Sequence, residues 1–207
     1  MSEAFGKTIL MNFEKGYLYH IYNQGNNRQK IFFSRENYLY FLEKIRTHMP
    51  PYADVLAWCL MPNHFHLMVL VRELEITHPM TLSHRMSTQT LNQSIAVLLR
   101  SYTRAINKEQ DLSGSLFRQK TKSECLNCPD AITPSFFSES GSTKINIQNP
   151  EKQYPQICFD YIHQNPVKAA IVENETDWEF SSAKDFAGSR KGTLVNKKIA
   201  EMFIKIK

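Results

Sequence analysis

The chain has 207 residues, enough to bury one substantial core and leave length over for tails or an insertion. With 42% hydrophobic and 22% charged residues it has the make-up of an ordinary globular protein, which excludes wholesale disorder, and its apolar runs, such as Leu67 to Val71, are far too short to cross a bilayer. The net charge of +5 favours polyanionic partners, because basic side chains release condensed counterions from phosphates, although solvated surface accounts for the same number.

In chain order, 16–22 is rich in tyrosine and isoleucine and runs into Asn23-Gln-Gly-Asn-Asn27, the pattern of a strand ending in a polar turn. Ser34 can cap a helix whose apolar residues Tyr38, Phe41, Leu42, Ile45 and Met49 recur at helical spacing until Pro50-Pro51 stops it. Residues 53–60 and 64–71 read as two strands of a hairpin around Met61-Pro62-Asn63, expected at the sheet centre. The polar stretch 73–86 reads as loop. Thr90 with Gln93 is a capping box for a second long helix with the stripe Leu91, Ile95, Leu98, Leu99, Tyr102 and Ile106. A strand is expected over 115–122 and a polar, mobile insertion over 123–153. A short helix over 155–165 is expected to end at Pro166, and the chain beyond Asp177 reads as peripheral. One domain over 1–190 with a C-terminal tail at 191–207 is the resulting division. The order β-α-β-β-α-β implies an α+β, ferredoxin-like fold: an antiparallel sheet with two main helices on one face, plus a shorter helix.

No secretion segment is read, so a cytoplasmic location is expected, and Cys59, Cys125, Cys128 and Cys158 are taken as reduced thiols. Cys125-Leu-Asn-Cys128 has the spacing of half a zinc site but lacks a partner pair, and is read as loop.

Two clusters carry chemistry. His64 and His66 start a strand, whose two-residue period sends both imidazoles to one face, where they can share a divalent metal; chance placement of two sheet histidines is the plainer alternative. In Asp160-Tyr-Ile-His-Gln-Asn-Pro-Val-Lys168, Tyr161 and Asn165 project from one side of a helix, unless Tyr161 is core and Asn165 a helix C-cap. Tyr102 is a rival phenol, assigned to the core by its apolar neighbours, and Gln164 is a rival to Asn165. His163 points elsewhere on its helix, and His20 is read as a satisfied sheet residue. Arg28, Lys30, Arg100, Arg104, Arg118 and Lys120 are candidate phosphate contacts.

Taken together, Tyr22-Asn-Gln-Gly-Asn-Asn-Arg28, Met61-Pro-Asn-His-Phe-His-Leu-Met68, Tyr161-Ile-His-Gln-Asn-Pro-Val-Lys168 and Asp177-Trp-Glu-Phe-Ser-Ser182 resemble the IS200-like transposases of the HUH class of single-strand nucleases, especially the REP-associated tyrosine transposases. The resemblance spans about residues 16 to 187. It implies a ferredoxin-like catalytic domain in which His64, His66 and Asn165 hold Mg²⁺ or Mn²⁺ and Tyr161 is the nucleophile. It further implies a partner, single-stranded or hairpin DNA, that is cut and rejoined through a 5′-phosphotyrosine link. The insertion over 123–153 departs from the family pattern and puts the mode of hairpin binding in doubt. The alternatives are a catalytically silent protein of the same fold that binds structured DNA or RNA, and a phosphodiesterase that uses water. Monomer and homodimer are both open.

Overall fold

A computed structural model describes residues 11–79, 86–128 and 150–206. Its core is a four-stranded antiparallel sheet in the order β2-β3-β1-β6. The strands are β1 (Leu18–Gln24), β2 (Ala53–Met61), β3 (His64–Val71) and β6 (Lys122–Cys125), with α1 (Arg35–His48) between β1 and β2 and α2 (Leu91–Glu109) between β3 and β6. This is the expected ferredoxin-like connection of strands and helices.

Strand alternation builds two cores. Tyr19, Ile21, Phe65, Leu67 and Val69 point to one face, where they meet Phe41, Leu42 and Ile45 of α1 and Ile95, Leu98 and Tyr102 of α2. Leu18 and Met68 point to the other face, where they meet Tyr154, Cys158 and Ile162 of α3 (Pro150–Lys168). Both long helices start as the sequence indicates: Asn37 Oδ1 accepts from the Ser34 amide at 3.2 Å, and Thr90 Oγ1 accepts from the Gln93 amide at 3.1 Å.

Several expectations are corrected. The hairpin β2-β3 forms, but only β3 is central; β2 is an edge, bridged by Ser181 to Cys59 and by Val195 to Val55. The 73–86 stretch is not simply loop, because β4 (Glu75–Pro79) pairs with β5 (Met86–Thr90) in a separate two-stranded ribbon. The fourth strand lies at 122–125 rather than over 115–122, so Lys122 to Cys125 belong to the sheet and not to an insertion. Most of the expected insertion, 129–149, lies outside the described residues. Cys125 and Cys128 form a disulfide, their Cα atoms brought to 5.8 Å by the turn that follows β6, while Cys59 and Cys158 are buried free thiols.

The helix carrying Tyr161 is as long as α2, 19 residues each, and is the long helix of the second face. Pro155 and Pro166 are both inside it. Pro166 removes only the donor owed to Ile162, and the last turn closes without it: the Ala169 amide donates to Asn165 O at 3.0 Å. The chain after Asp177 is not peripheral, since Phe180, Ser181, Ser182 and Asp185 are buried, α4 (Ala183–Phe186) and α5 (Lys197–Ala200) follow, and Ala200 and Ile204 join the second core. Among the described residues no helix is long and apolar enough to cross a membrane.

Candidate active site

β3 enters directly from the Pro62-Asn63 turn, so its first inward positions on the α3 face are His64 and His66. Register with β1 sets Gln24 opposite His64 and Tyr22 opposite His66, and register with β6 sets Lys122 beside Tyr22 and Glu124 beside His20. Even-numbered side chains of three adjacent strands therefore share one surface. α3 crosses above it and lowers Tyr161 and Asn165, one turn apart, onto the histidines.

The Asn165 amide lies between the two imidazoles, its Oδ1 at 3.2 Å from His64 Nε2 and its Nδ2 at 3.3 Å from His66 Nε2. The Tyr161 ring meets His66 edge-on with centroids 5.3 Å apart, and the Tyr161 hydroxyl is hydrogen-bonded to Asn165. Lys168 Nζ lies 5.6 Å from the centroid of the Tyr161 ring. Burial raises the Tyr161 pKa, and the Asn165 hydrogen bond opposes that shift. Burial lowers the pKa of His64 against the Asn165 contact, and it lowers that of His66 further, with His20 and His64 acting in the same direction. Both imidazoles are thus neutral at neutral pH, the form that ligates a metal.

The hydrogen-bond network assigns their tautomers. Asn63 Nδ2 donates to Arg28 O at 3.3 Å, which turns Asn63 Oδ1 toward His64 Nδ1 at 2.6 Å. His64 therefore carries its proton on Nδ1, and its Nε2 lone pair faces the Asn165 oxygen. His66 Nδ1 lies 2.9 Å from His20 Nε2; donating there leaves the His66 Nε2 lone pair toward Asn165 as well. Two imidazole nitrogens and the Asn165 amide thus converge at one place, Oδ1 toward His64 and Nδ2 toward His66. Neutral imidazole nitrogens and an amide oxygen are donors that a divalent cation accepts. Imidazole with a hard amide oxygen and room for water suits Mg²⁺ or Mn²⁺. Among the described residues no group of three or more His, Cys, Asp or Glu side chains is placed to hold a metal ion.

A cavity of about 230 Å³ opens at this point, lined by His64, His66, Tyr161 and Tyr22 together with Arg118, Lys120 and Lys122. Arg100 and Arg104 line a different cavity of about 610 Å³, shared with Arg118 and Lys120. Arg28 and Lys30 line neither; they sit on the exposed turn after β1. That turn needs a glycine at its start, because a Cβ on Gly25 would meet Gln29 O at 2.1 Å. The rival residues fall away from the site. Tyr102 is fully buried on the opposite face with its hydroxyl on Ile31 O at 2.6 Å, Gln164 lines a separate small cavity, and His163 bonds to Ser182 Oγ at 2.7 Å.

Sequence reasoning did not assign Tyr22, Lys122, Glu124 or Lys168 to the site, and it read His20 as a satisfied sheet residue without its link to His66. His20 bonds His66, its ring stacks on Tyr22 at 4.7 Å, and the Tyr22 hydroxyl donates to Glu124. Alternation along β1 puts His20 and Tyr22 on one face, but only the inter-strand register, which the sequence does not print, brings them to His66.

The geometry has a counterpart among solved structures. The chain matches a REP-associated tyrosine transposase bound to a REP hairpin, at 18% identity and a TM-score of 0.53, over 91% of this chain and 86% of that one. It has the fold of that transposase. No family model and no curated protein matches the sequence. The transposase fold accounts for the sheet order and the helix placement, whereas the chemistry rests on the residues described above.

Proposed function

We propose that the protein cuts and rejoins single-stranded DNA beside a hairpin through a covalent link to Tyr161. What supports this reading is one observation: Tyr161 and the His64–His66 pair line a single cavity that also carries three cations, and buried Asn165 contacts both histidines. The transposase whose fold the chain shares was solved on a REP hairpin, which makes a hairpin the first substrate to test.

In this reading His64 Nε2, His66 Nε2 and Asn165 Oδ1 would hold Mg²⁺ or Mn²⁺, which would supply the Lewis acidity that a neutral phenol needs as a weak nucleophile. Tyr161 Oη forms a bond to phosphorus, and the bond from phosphorus to the 3′-oxygen of the neighbouring nucleotide breaks. The phenol proton is released and the leaving oxygen takes one up, so the products are a 5′-phosphotyrosine and a free 3′-hydroxyl. Attack by another 3′-hydroxyl reverses the step on a new junction, conserving the phosphodiester without ATP. Arg118, Lys120 and Lys122 hold the backbone phosphates, and Lys168 packs its cation against the Tyr161 ring.

The test is incubation with Mn²⁺ and a hairpin oligonucleotide labelled on the fragment 3′ of the expected cut. A denaturation-resistant protein–DNA adduct is expected with the unaltered chain and none above background with Tyr161→Phe, while Tyr102→Phe leaves the adduct in any folded sample. An adduct that survives Tyr161→Phe sinks the assignment. Cleaved DNA with no protein-bound product points to water as nucleophile, and binding without cleavage to a silent binding protein.

A further inference from the structure

The larger cavity shares Arg118 and Lys120 with the site just described but is lined by none of its reacting groups. Its volume is about 610 Å³ and it lies against α2, on the face of the sheet opposite His64 and His66. Ala96, Leu99 and Phe117 give it apolar walls, while Arg100 and Arg104, one turn apart on α2, join Arg118 and Lys120 as four cations. No residue lining it is acidic. The two cavities are continuous in composition: Asn23, Arg118 and Lys120 line both.

The shared segment, 118–121, runs around the end of the sheet from one face to the other and is firmly held. The Arg118 amide donates to Gln24 O at 2.9 Å, and Asn23 Nδ2 donates to Arg118 O at 3.1 Å and to Thr121 Oγ1 at 2.9 Å. Two alternating cations on a fixed backbone, with a concave surface at each end, make a track for a polyanion rather than a solvated loop. Apolar walls among cations suit bases that have left the stack, since an unpaired base offers an apolar face and a charged phosphate together, whereas a duplex offers mainly phosphates.

We infer that the α2 cavity binds the unpaired strand that adjoins the scissile phosphate, so that single-stranded DNA crosses from the α3 face over Arg118 and Lys120 and lodges bases against Leu99 and Phe117. This rests on the proposed function and adds a second, non-catalytic binding site on the other side of the sheet. Cleavage and grip then occur on opposite faces, and the strand must bend around the β1–β6 end.

Binding by the non-cleaving Tyr161→Phe chain can be read by fluorescence anisotropy, using hairpins with no flank and with oligothymidine flanks lengthened one nucleotide at a time on the 5′ or the 3′ side. One flank is expected to tighten binding by about tenfold or more once it reaches the cavity. Adding Arg100→Ala and Arg104→Ala, both exposed positions, removes that gain and makes the salt dependence of the flanked hairpin shallower by about 1.4 in log–log slope, while the flankless hairpin binds within about twofold of its former affinity. An equal loss for flankless and flanked hairpins, or no gain from any flank, overturns the inference and leaves the proposed function standing. Failure of the parent chain to bind any hairpin or single strand refutes the proposed function itself, and this inference with it.

Discussion

His20 and His66 lie 2.9 Å apart inside the protein, and burial pushes the His20 pKa down to about 3, so the contact joins two neutral rings and needs one to donate and the other to accept. The assignment made above has His66 donating, which fixes its free nitrogen toward Asn165. Removing the acceptor frees His66 to rotate or change tautomer, and losses of this kind typically weaken metal binding by about 10- to 100-fold. His20→Phe is therefore expected to lower Mn²⁺ affinity by that factor, and His20→Gln, whose amide oxygen can accept the same proton, to recover much of it. Titration of the metal against electron paramagnetic resonance of free Mn²⁺ measures both; equal affinity in a folded His20→Phe protein argues against the positioning role. His163 gives a second residue-scale consequence. Its pKa is also pushed down to about 3 by burial, with Asp185 opposing, against an ordinary value of 6.5. The unfolded chain thus binds a proton that the folded chain refuses, so stability is full above pH 6.5 and falls as the pH drops toward 3. Between pH 6 and 5 each such histidine contributes a slope of up to about 1.4 kcal/mol per pH unit. His163→Gln should remove its share and keep that of His20, which urea titrations at the two pH values would reveal; an unchanged slope contradicts the assignment.

At the scale of elements, what was legible follows from local chemistry. β3 begins and ends where the alternation from His64 to Val71 begins and ends, and α1 and α2 start at Ser34 and Thr90 because a cap and its partner three residues on are both written locally. β6 was misplaced because a four-residue edge strand of Lys-Ser-Glu-Cys carries no hydrophobic alternation; it is defined by its partner β1, a long-range pairing. The proline pattern alone ends α3 before Pro166, whereas the helix carries both Pro155 and Pro166 inside it and its last turn closes on the Ala169 amide despite the donor that Pro166 lacks. The ribbon β4-β5 has only Ile76 and Met86 as large apolar residues, too few to show a two-residue period. Of the candidate site, His64 and His66 are readable as a pair on one face and Tyr161 with Asn165 as a pair on one helix side, because both relations are short-range periodicities. Their meeting with each other, and the neighbouring His20, Tyr22 and Glu124, depend on the sheet register and on how α3 crosses it, which no local pattern encodes.

For the whole molecule the decisive feature is how the chain after Asp177 closes the edge of the sheet and supports the helix that bears Tyr161. Asp185, only 1% exposed, accepts from Arg190 Nε at 2.7 Å, Arg190 Nη2 at 2.8 Å and the Gly192 amide at 3.1 Å. Arg190 in turn donates to Glu179 O at 2.8 Å and Ser181 O at 2.6 Å, and its guanidinium lies 5.1 Å from the Trp58 ring centroid. This clasp holds Ser181 and Val195 on the β2 edge, and beyond it Ala200 and Ile204 pack with Cys158 and Ile162 of α3. Asp185→Ala leaves the cation without its partner. Breaking a buried pair in this way costs about 3–5 kcal/mol, and the lower end is expected here because the Arg190 side chain keeps 30% exposure. Arg190→Met keeps the packing on Trp58 while removing the charge, so the double variant Asp185→Ala, Arg190→Met should be more stable than Asp185→Ala alone, a sign that simple loss of contacts does not produce. Urea denaturation of the parent, the two single variants and the double variant measures this coupling. A double variant less stable than either single one would mean that the clasp acts through packing rather than charge. In that event the link from the C-terminal segment to α3 would have to be sought in Ala200 and Ile204 instead.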